Sequence, residues 1–321
     1  MTLSLATDAK DRPVATELPV LRDVADRGEW DELVARAPFP HLPQSFAYGE
    51  GKRAAGWRPR RVVFMRDDRP LAAATVLEGR PLGIRLLTRV NRGPFFFDAE
   101  PSAADIFAVH AALRRRWRGP LLIGPALVDS SRTREVLRKL GLRRRVDGWT
   151  SGRISLERSE EELWASYSSP FRNQVRQGEK TGASIDVSQA PAAYRWMVEQ
   201  HVQNMRDKRF SGPRPVMLNG LREAAPETVM VFRLLLEGEA VAGMSVVRFG
   251  RGAEYHIGWF GPRGRQVKAG NLLMWAVQKE LRRQGVAWFD IGGLKPGDGY
   301  TQFKRTMRPV EFSLCGEWIG L

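Results

Sequence analysis

The chain has 321 residues, 43% of them hydrophobic and 27% charged, a composition suited to a globular protein of two ordinary domains. No stretch reaches the roughly 20 continuous apolar residues of a membrane helix, and Met1 to Pro13 lacks the apolar core of a secretory leader, so a cytoplasmic location is expected. A net charge of +15 favours polyanions such as nucleic acid, an anionic membrane surface or phosphorylated small molecules, and the lone Cys315 excludes both an intrachain disulfide and a thiolate metal cluster.

Taken in chain order, the first legible element is Gln44-Ser45-Phe46-Ala47-Tyr48, which runs through Glu50 and Lys52 to Trp57 and reads as a short helix entering a hairpin. The hairpin is Arg61 to Met65, a turn at Asp67-Asp68-Arg69-Pro70, and Leu71 to Leu77. Folding could bring the Arg92-Gly93-Pro94 turn close to Lys52. Ser102 and Asp105 form a helix start, followed by Ile106, Val109, Leu113 and Trp117 at helical spacing. Ser131 to Leu140 is amphipathic and Gly141 is its stop. The expected boundary lies near residue 150, giving domains 1–150 and 151–321.

Beyond it, Arg153 to Leu156 is strand-like and Ser159 with Glu162 opens a helix. Ser169 is read as the cap of the next helix, Pro170 as its first residue, and the helix is expected to run to about Lys180. Arg172, Arg176 and Lys180 then share one face, a cationic stripe suited to a diphosphate, a nucleic-acid backbone or plain solvent. Val229 to Leu236, a turn at Glu237-Gly238-Glu239, and Ala240 to Arg248 repeat the hairpin, with Ala253 to Trp259 as a third strand carrying Tyr255 and His256. The repeated order suggests duplication of one α/β unit.

The basic loop Arg263, Arg265 and Lys268 precedes a helix expected from Asn271 to Arg283, a place where backbone N–H groups bind anions. The last forty residues hold the densest signal. An apolar run Val286 to Ile291 includes Asp290, glycines follow at Gly292, Gly293, Gly297 and Gly299, and a loop returns the pair Phe303-Lys304. Glycines allow close backbone approach, and a lysine there can meet a phosphate or a developing oxyanion. The plainer role for Lys304 is an ion pair with Asp290 or Asp298. His41, His110, His201 and His256 lack metal-ligand spacing, so no metal is expected. Neither a nucleophile elbow nor a Walker loop is present, and no cofactor is called for.

Gln44-Ser45-Phe46 through Lys52 and Trp57, Arg172 to Arg176 through Gly182, Ala240 to Gly243, Tyr255 to Gly258, Asn271 to Trp275, and Phe289-Asp290-Ile291-Gly292-Gly293 to Phe303-Lys304 together resemble the FemABX-like aminoacyltransferases. The likeness runs from about residue 40 to the end. It implies an α/β (α+β) fold of two tandem GNAT-like domains, each a mixed, mostly antiparallel sheet flanked by helices. It also implies transfer of an amino acid from aminoacyl-tRNA to the amine of a peptidoglycan precursor or a peptide-like natural product, with no covalent enzyme intermediate. On that resemblance Lys304 lies at the reacting carbonyl with Asp290 beside it. Lys52 and one of Arg172 or Arg176 serve acceptor phosphates, and Tyr255 and Phe303 touch substrate. The donor site does not carry over from that family; Arg263, Arg265 and Lys268, in a loop placed as the pyrophosphate loop of GNAT-type N-acyltransferases, are the expected donor phosphate or tRNA contacts. The family's coiled-coil arm has no counterpart here. An acyl-CoA-dependent N-acyltransferase and a non-catalytic module binding RNA or an anionic surface are the competing readings; the usual Gln/Arg-x-x-Gly-x-Gly/Ala loop of coenzyme A binders is absent.

Overall fold

The computed structural model describes residues 17–297 and 299–321, so the leader expectation for Met1 to Pro13 lies outside the described residues. The first half contains β1 (Val20–Asp23), α1 (Arg27–Arg36), α2 (Phe46–Ala54), β2 (Trp57–Arg66), β3 (Arg69–Gly79), β4 (Leu87–Asn91), β5 (Phe95–Phe96), α3 (Ala103–Arg116), β6 (Leu121–Gly124), α4 (Ser131–Lys139) and β7 (Arg143–Val146). The second contains β8 (Thr150–Ser155), α5 (Glu160–Ser166), α6 (Ser169–Glu179), β9 (Ser184–Ser188), α7 (Pro191–Asp207), α8 (Pro215–Ala224), β10 (Val229–Leu236), β11 (Glu239–Phe249) and β12 (Gly252–Phe260). It closes with α9 (Pro262–Gln266), α10 (Ala269–Arg283), β13 (Trp288–Asp290), α11 (Gly299–Arg305), β14 (Val310–Ser313) and β15 (Glu317–Gly320).

The two hairpins form for the same local reason. Asp67 and Asp68 both take positive φ (47° and 58°), as do Glu237 and Gly238 (55° and 82°), the twisted two-residue turn that matches the twist of antiparallel strands. Helix starts follow their side-chain caps: the Ser102 hydroxyl accepts from Asp105 N–H at 3.0 Å, and Ser159 with Glu162 completes a reciprocal capping box.

Among the described residues the strands form two mixed, mostly antiparallel sheets. One is ordered β1-β2-β3-β4-β6-β15-β7, with β5 also on β3, and the other β9-β10-β11-β12-β13-β8-β14. Each contains one parallel pair, β4 with β6 and β12 with β13, joined through helices. The duplication expected from the hairpins is therefore visible in strand order. The chain changes sheets between Val146 and Thr150, but β15 returns to the first sheet and pairs with both β6 and β7. Residues 151–321, read from sequence as one domain, thus give their last strand to the other sheet.

Helices α5, α6 and α10 cover one face of the second sheet, with Phe171, Val175, Phe232, Met244 and Leu273 in its core. The opposite face packs with α7 and α8 against α1 and α2 of the first half, in a core shared by Trp30, Leu33, Met197, Leu221 and Val231. Close approach of α2 and α8 depends on glycine: a Cβ on Gly51 would lie 2.6 Å from the Met217 carbonyl oxygen, and one on Gly220 2.5 Å from Ala54 Cβ.

Several local expectations shift. Ser168, not Ser169, caps α6, accepting from Phe171 N–H at 3.3 Å, so Pro170 is the second helical residue. Helix α10 begins at Ala269, two residues before Asn271, after Lys268 in left-handed conformation. Lys304 sits on a short helix instead of a loop. Cys315 is buried, and burial pushes its thiol up to about 12, consistent with a packing residue.

Candidate active site

The second sheet opens where its parallel pair ends. Strands β12 and β13 are in register only over Gly252 to Glu254 against Trp288 to Asp290. Beyond that the chain leaves β13 through Gly292, whose φ of +76° suits glycine, and the strands diverge. Lys304 fills this opening. It is 2% exposed; its Nζ donates to the Gly293 carbonyl at 3.0 Å and lies 5.2 Å from the Tyr255 ring centroid and 4.7 Å from that of Tyr300. Two aromatic faces and a carbonyl hold the ammonium in a site largely screened from water. Burial raises the Tyr255 phenol to about 12, so it is neutral and a hydrogen-bond donor at physiological pH. Phe303 stacks on Tyr300 (5.7 Å) and approaches Phe171 of α6 (6.5 Å). Lys304, Tyr255 and Phe303 therefore come together as the sequence suggested.

Asp290 caps the glycine loop, and none of its described contacts is with Lys304, to which an ion pair is one expectation from the sequence. It is fully buried; Oδ1 accepts from the Ser151 hydroxyl and from Gly292 N–H at 2.9 Å, and Oδ2 lies 3.7 Å from Arg153 Nε. It shapes the glycine loop on which Lys304 rests. The alternative ion pair of Lys304 with Asp298 lies outside the described residues.

At the last paired register Glu254, Asp290 and Arg153 stand side by side on three adjacent strands. Two neighbouring carboxylates are tolerable because Arg92 from the first half bonds Glu254 at 3.1 Å and Arg153 flanks Asp290. Burial raises the Glu254 carboxyl above its ordinary range against the pull of Arg92. The Arg92 guanidinium also stacks on Trp149 at 3.4 Å. This row joins the two halves, and sequence reading missed it. The signal was a charged residue within each of the strands at Glu254 and Arg153, positions where burial demands a partner.

Lys52 projects from α2 over the Tyr48 ring at 5.4 Å. Burial, then the positive charges of Arg89 and Arg214, lower its ammonium below the ordinary lysine range. Arg89 is held by Asn91 at 2.7 Å and by Glu317 of β15 at 2.6 Å. Strand β4, which carries Arg89, runs into the Arg92 turn; Asn91 and Arg92 act on Tyr48 of α2, whereas the charges beside Lys52 are Arg89 and Arg214. Arg214, just before α8, escaped notice because nothing local marks it.

Arg172 and Arg176 do not join Lys52. They lie on α6, which packs on α10 over the sheet face opposite the seam between the halves. Arg172 donates to the Ala165 carbonyl at 2.9 Å, and Arg176 lies 5.7 Å from the Trp164 ring. Arg263 is paired with Glu239 (2.7 Å) and Glu237 (2.6 Å) of the β10–β11 turn, and Arg265 bonds the Phe260 carbonyl at 2.6 Å. Lys268 remains at the start of α10, whose first turn has no side-chain cap.

A cavity of about 950 Å³ lies on the seam side of β8 and β14, lined by Phe39, His41, Arg153, Trp288 and Phe312 among others. Lys304 does not line it. The Asp290–Arg153 pair separates the two.

Two like sheets side by side, one opening around a buried lysine, define a tandem GNAT-like architecture. Residues 165–305 match the acetyltransferase (GNAT) domain family. Among solved structures, FemX superposes with a TM-score of 0.76 at 16% identity, covering 94% of this chain and 96% of that one. A tandem GNAT protein from the clavulanic acid biosynthesis pathway gives 0.55 at 14% identity, covering 94% and 98%. The C-terminal domain of a putative lysylphosphatidylglycerol synthetase from Agrobacterium fabrum gives 0.53 at 14%, covering 92% of each. No curated protein matches the sequence. The fold expected from the sequence is the fold observed.

Proposed function

We propose that the chain is an acyltransferase that moves an amino acid from aminoacyl-tRNA to the amine of an acceptor, a peptidoglycan precursor or a peptide-like natural product. The observation that carries this reading is Lys304 Nζ at the opening between β12 and β13, over Tyr255 and beside Gly293. An aminoacyl ester is already activated, so positioning supplies much of the rate. The acceptor amine attacks the ester carbonyl, Lys304 stabilises the oxyanion, and the 3′-oxygen of the tRNA leaves, taking up the proton that the amine gives up. Asp290 shapes the loop beneath the lysine and is not the base.

Acceptor phosphates are assigned to Lys52 with Arg89 and Arg214, on the opposite side of the seam from Arg172 and Arg176. The likeness to FemX in fold supports the aminoacyl donor. The uncapped start of α10 with Lys268 supports the second reading, an acyl-CoA donor, since helix starts bind phosphates. Incubating the protein and an amine acceptor with either a radiolabelled aminoacyl-tRNA or labelled acetyl-CoA decides between them. Transfer from charged tRNA alone is the expected result; transfer from acetyl-CoA alone overturns the donor assignment, and transfer from neither sinks the enzymatic reading.

A further inference from the structure

The tip of the β3–β4 hairpin, residues 80–86, presents three bare apolar side chains. Leu82 is 100% exposed, Ile84 66% and Leu86 59%. Leu82 also holds a positive φ of 53°, an uncommon conformation for a branched residue, and no core contact compensates it. Scattered apolar residues on a surface are ordinary, but three on one seven-residue turn form a wedge.

Its surroundings define what the wedge fits. Between Gly79 and Phe97 the sequence contains no acidic residue, and neither does the stretch from Ile106 to Val128 that supplies the adjoining loop. Arg80 and Arg118 are exposed beside the tip, and Arg85 ties the two loops together by donating to the Arg118 carbonyl at 2.7 Å. Glu78, the nearest carboxylate, lies below the tip, buried and bonded to Arg80 and Trp117. Half-buried Trp57 packs against Gly79 at the base of the hairpin.

Part of the tip's backbone is paired within the turn. Gly83 N–H donates to Arg80 O (3.2 Å), Ile84 N–H to Pro81 O (3.1 Å) and Leu86 N–H to Gly79 O (3.0 Å), while Arg80 Nε caps the Gly83 carbonyl (3.2 Å). Each such pair lowers the cost of bringing this turn toward hydrocarbon, where unpaired peptide groups are costly.

We propose that this tip inserts into the surface of an anionic lipid bilayer, Leu82, Ile84 and Leu86 entering the acyl boundary and Arg80, Arg85 and Arg118 meeting the phosphate headgroups. No helix among the described residues is long and apolar enough to cross a membrane, so the attachment is peripheral. It is independent of which acyl donor the protein uses.

The buried thiol of Cys315 makes the test clean, since a new surface thiol is the one that reacts. Leu82→Cys in the full chain, labelled with the polarity-sensitive fluorophore NBD, is mixed with phosphatidylglycerol or phosphatidylcholine vesicles. The expected result is brightening with phosphatidylglycerol vesicles, quenched by lipids spin-labelled near the headgroup. In cosedimentation, the charge-neutral variant Ile84→Ser/Leu86→Ser binds these vesicles at least about tenfold more weakly than wild type. An unchanged probe signal while the protein still pellets with vesicles means attachment by charge elsewhere and overturns the proposal, as does failure of the wild-type chain to pellet at all.

Discussion

The two sheets share a strand order, yet they treat their parallel pairs in opposite ways. In the first, β4 and β6 stay in register from Thr88 to Asn91 against Leu121 to Gly124, and Gly93 N–H then bonds the Gly124 carbonyl at 3.0 Å, closing the gap. A Cβ on Gly93 would lie 2.5 Å from the Gln44 amide, which fills the remaining space. In the second, β12 and β13 stay paired over a shorter stretch before they diverge, and a lysine occupies the opening. Two sheets of like strand order thus diverge at a single pair of strand ends. Under the proposed function, the closed copy is the platform for Arg89, Arg92 and Lys52, and the open copy holds the reacting groups.

The largest expected effect tests the open copy. Lys304→Met lowers turnover roughly 100- to 1,000-fold in a labelled aminoacyl-transfer assay, the usual cost of losing one oxyanion donor; a loss within about threefold would move the chemistry elsewhere. Asp290→Asn probes the seam that joins the copies. It leaves Arg153 without its closest carboxylate and lowers stability by about 3–5 kcal/mol, read by denaturant unfolding. An unchanged midpoint would mean that the row of Glu254, Asp290 and Arg153 does not brace the two halves.

The closed copy, with Arg214 of the second half beside Lys52, is tested by binding. Lys52→Ala or Arg214→Ala raises the acceptor KM roughly tenfold or more while kcat holds, because a charged contact is lost equally from ground and transition states. Acid probes the same copy through His110, buried on α3 with Nδ1 2.7 Å from the Ile106 carbonyl. Burial lowers its pKa to about 4, below the ordinary value of 6.5, so the unfolded chain takes up the proton first. Its contribution to stability is whole above pH 6.5 and declines by about 1.4 kcal/mol per pH unit as pH falls toward 4. His110→Gln flattens that slope in unfolding curves taken between pH 7 and 4.5, without removing the contribution of His256, which is similarly lowered. The smallest effect belongs to Arg172→Ala and Arg176→Ala. Facing away from the seam on α6, each leaves KM and kcat within about threefold.

These contrasts show what a linear reading can and cannot reach. The hairpins and the start of α3 were legible because turn residues and caps act over a few positions, whereas Tyr255 was set with Phe303 and Lys304 only by the family resemblance. The cationic stripe on α6 was also read correctly as one helix face, but which way a helix face points is decided by packing, and Phe171 and Val175 turn it from the seam. Arg214 and Arg89 gain meaning only beside Lys52, from which they stand 162 and 37 residues away in sequence. The segment 184–224, with β9, α7 and α8, goes unassigned from sequence although Tyr194, Met197, Val198 and His201 recur at helical spacing, and the wall it builds behind the seam was not foreseen.

The return of β15 bears on how the molecule is made. Leaving the ribosome, residues 20–146 form a sheet in which β6 lacks its neighbour, and that neighbour emerges some 170 residues later with Glu317 to Gly320. Until then the edge of β6 is open and the cavity awaiting Trp318, fully enclosed in the finished protein, is unfilled. Glu317 also secures Arg89. Vectorial synthesis therefore withholds completion of the first half, and of a guanidinium next to Lys52, until the second half has nearly all been translated.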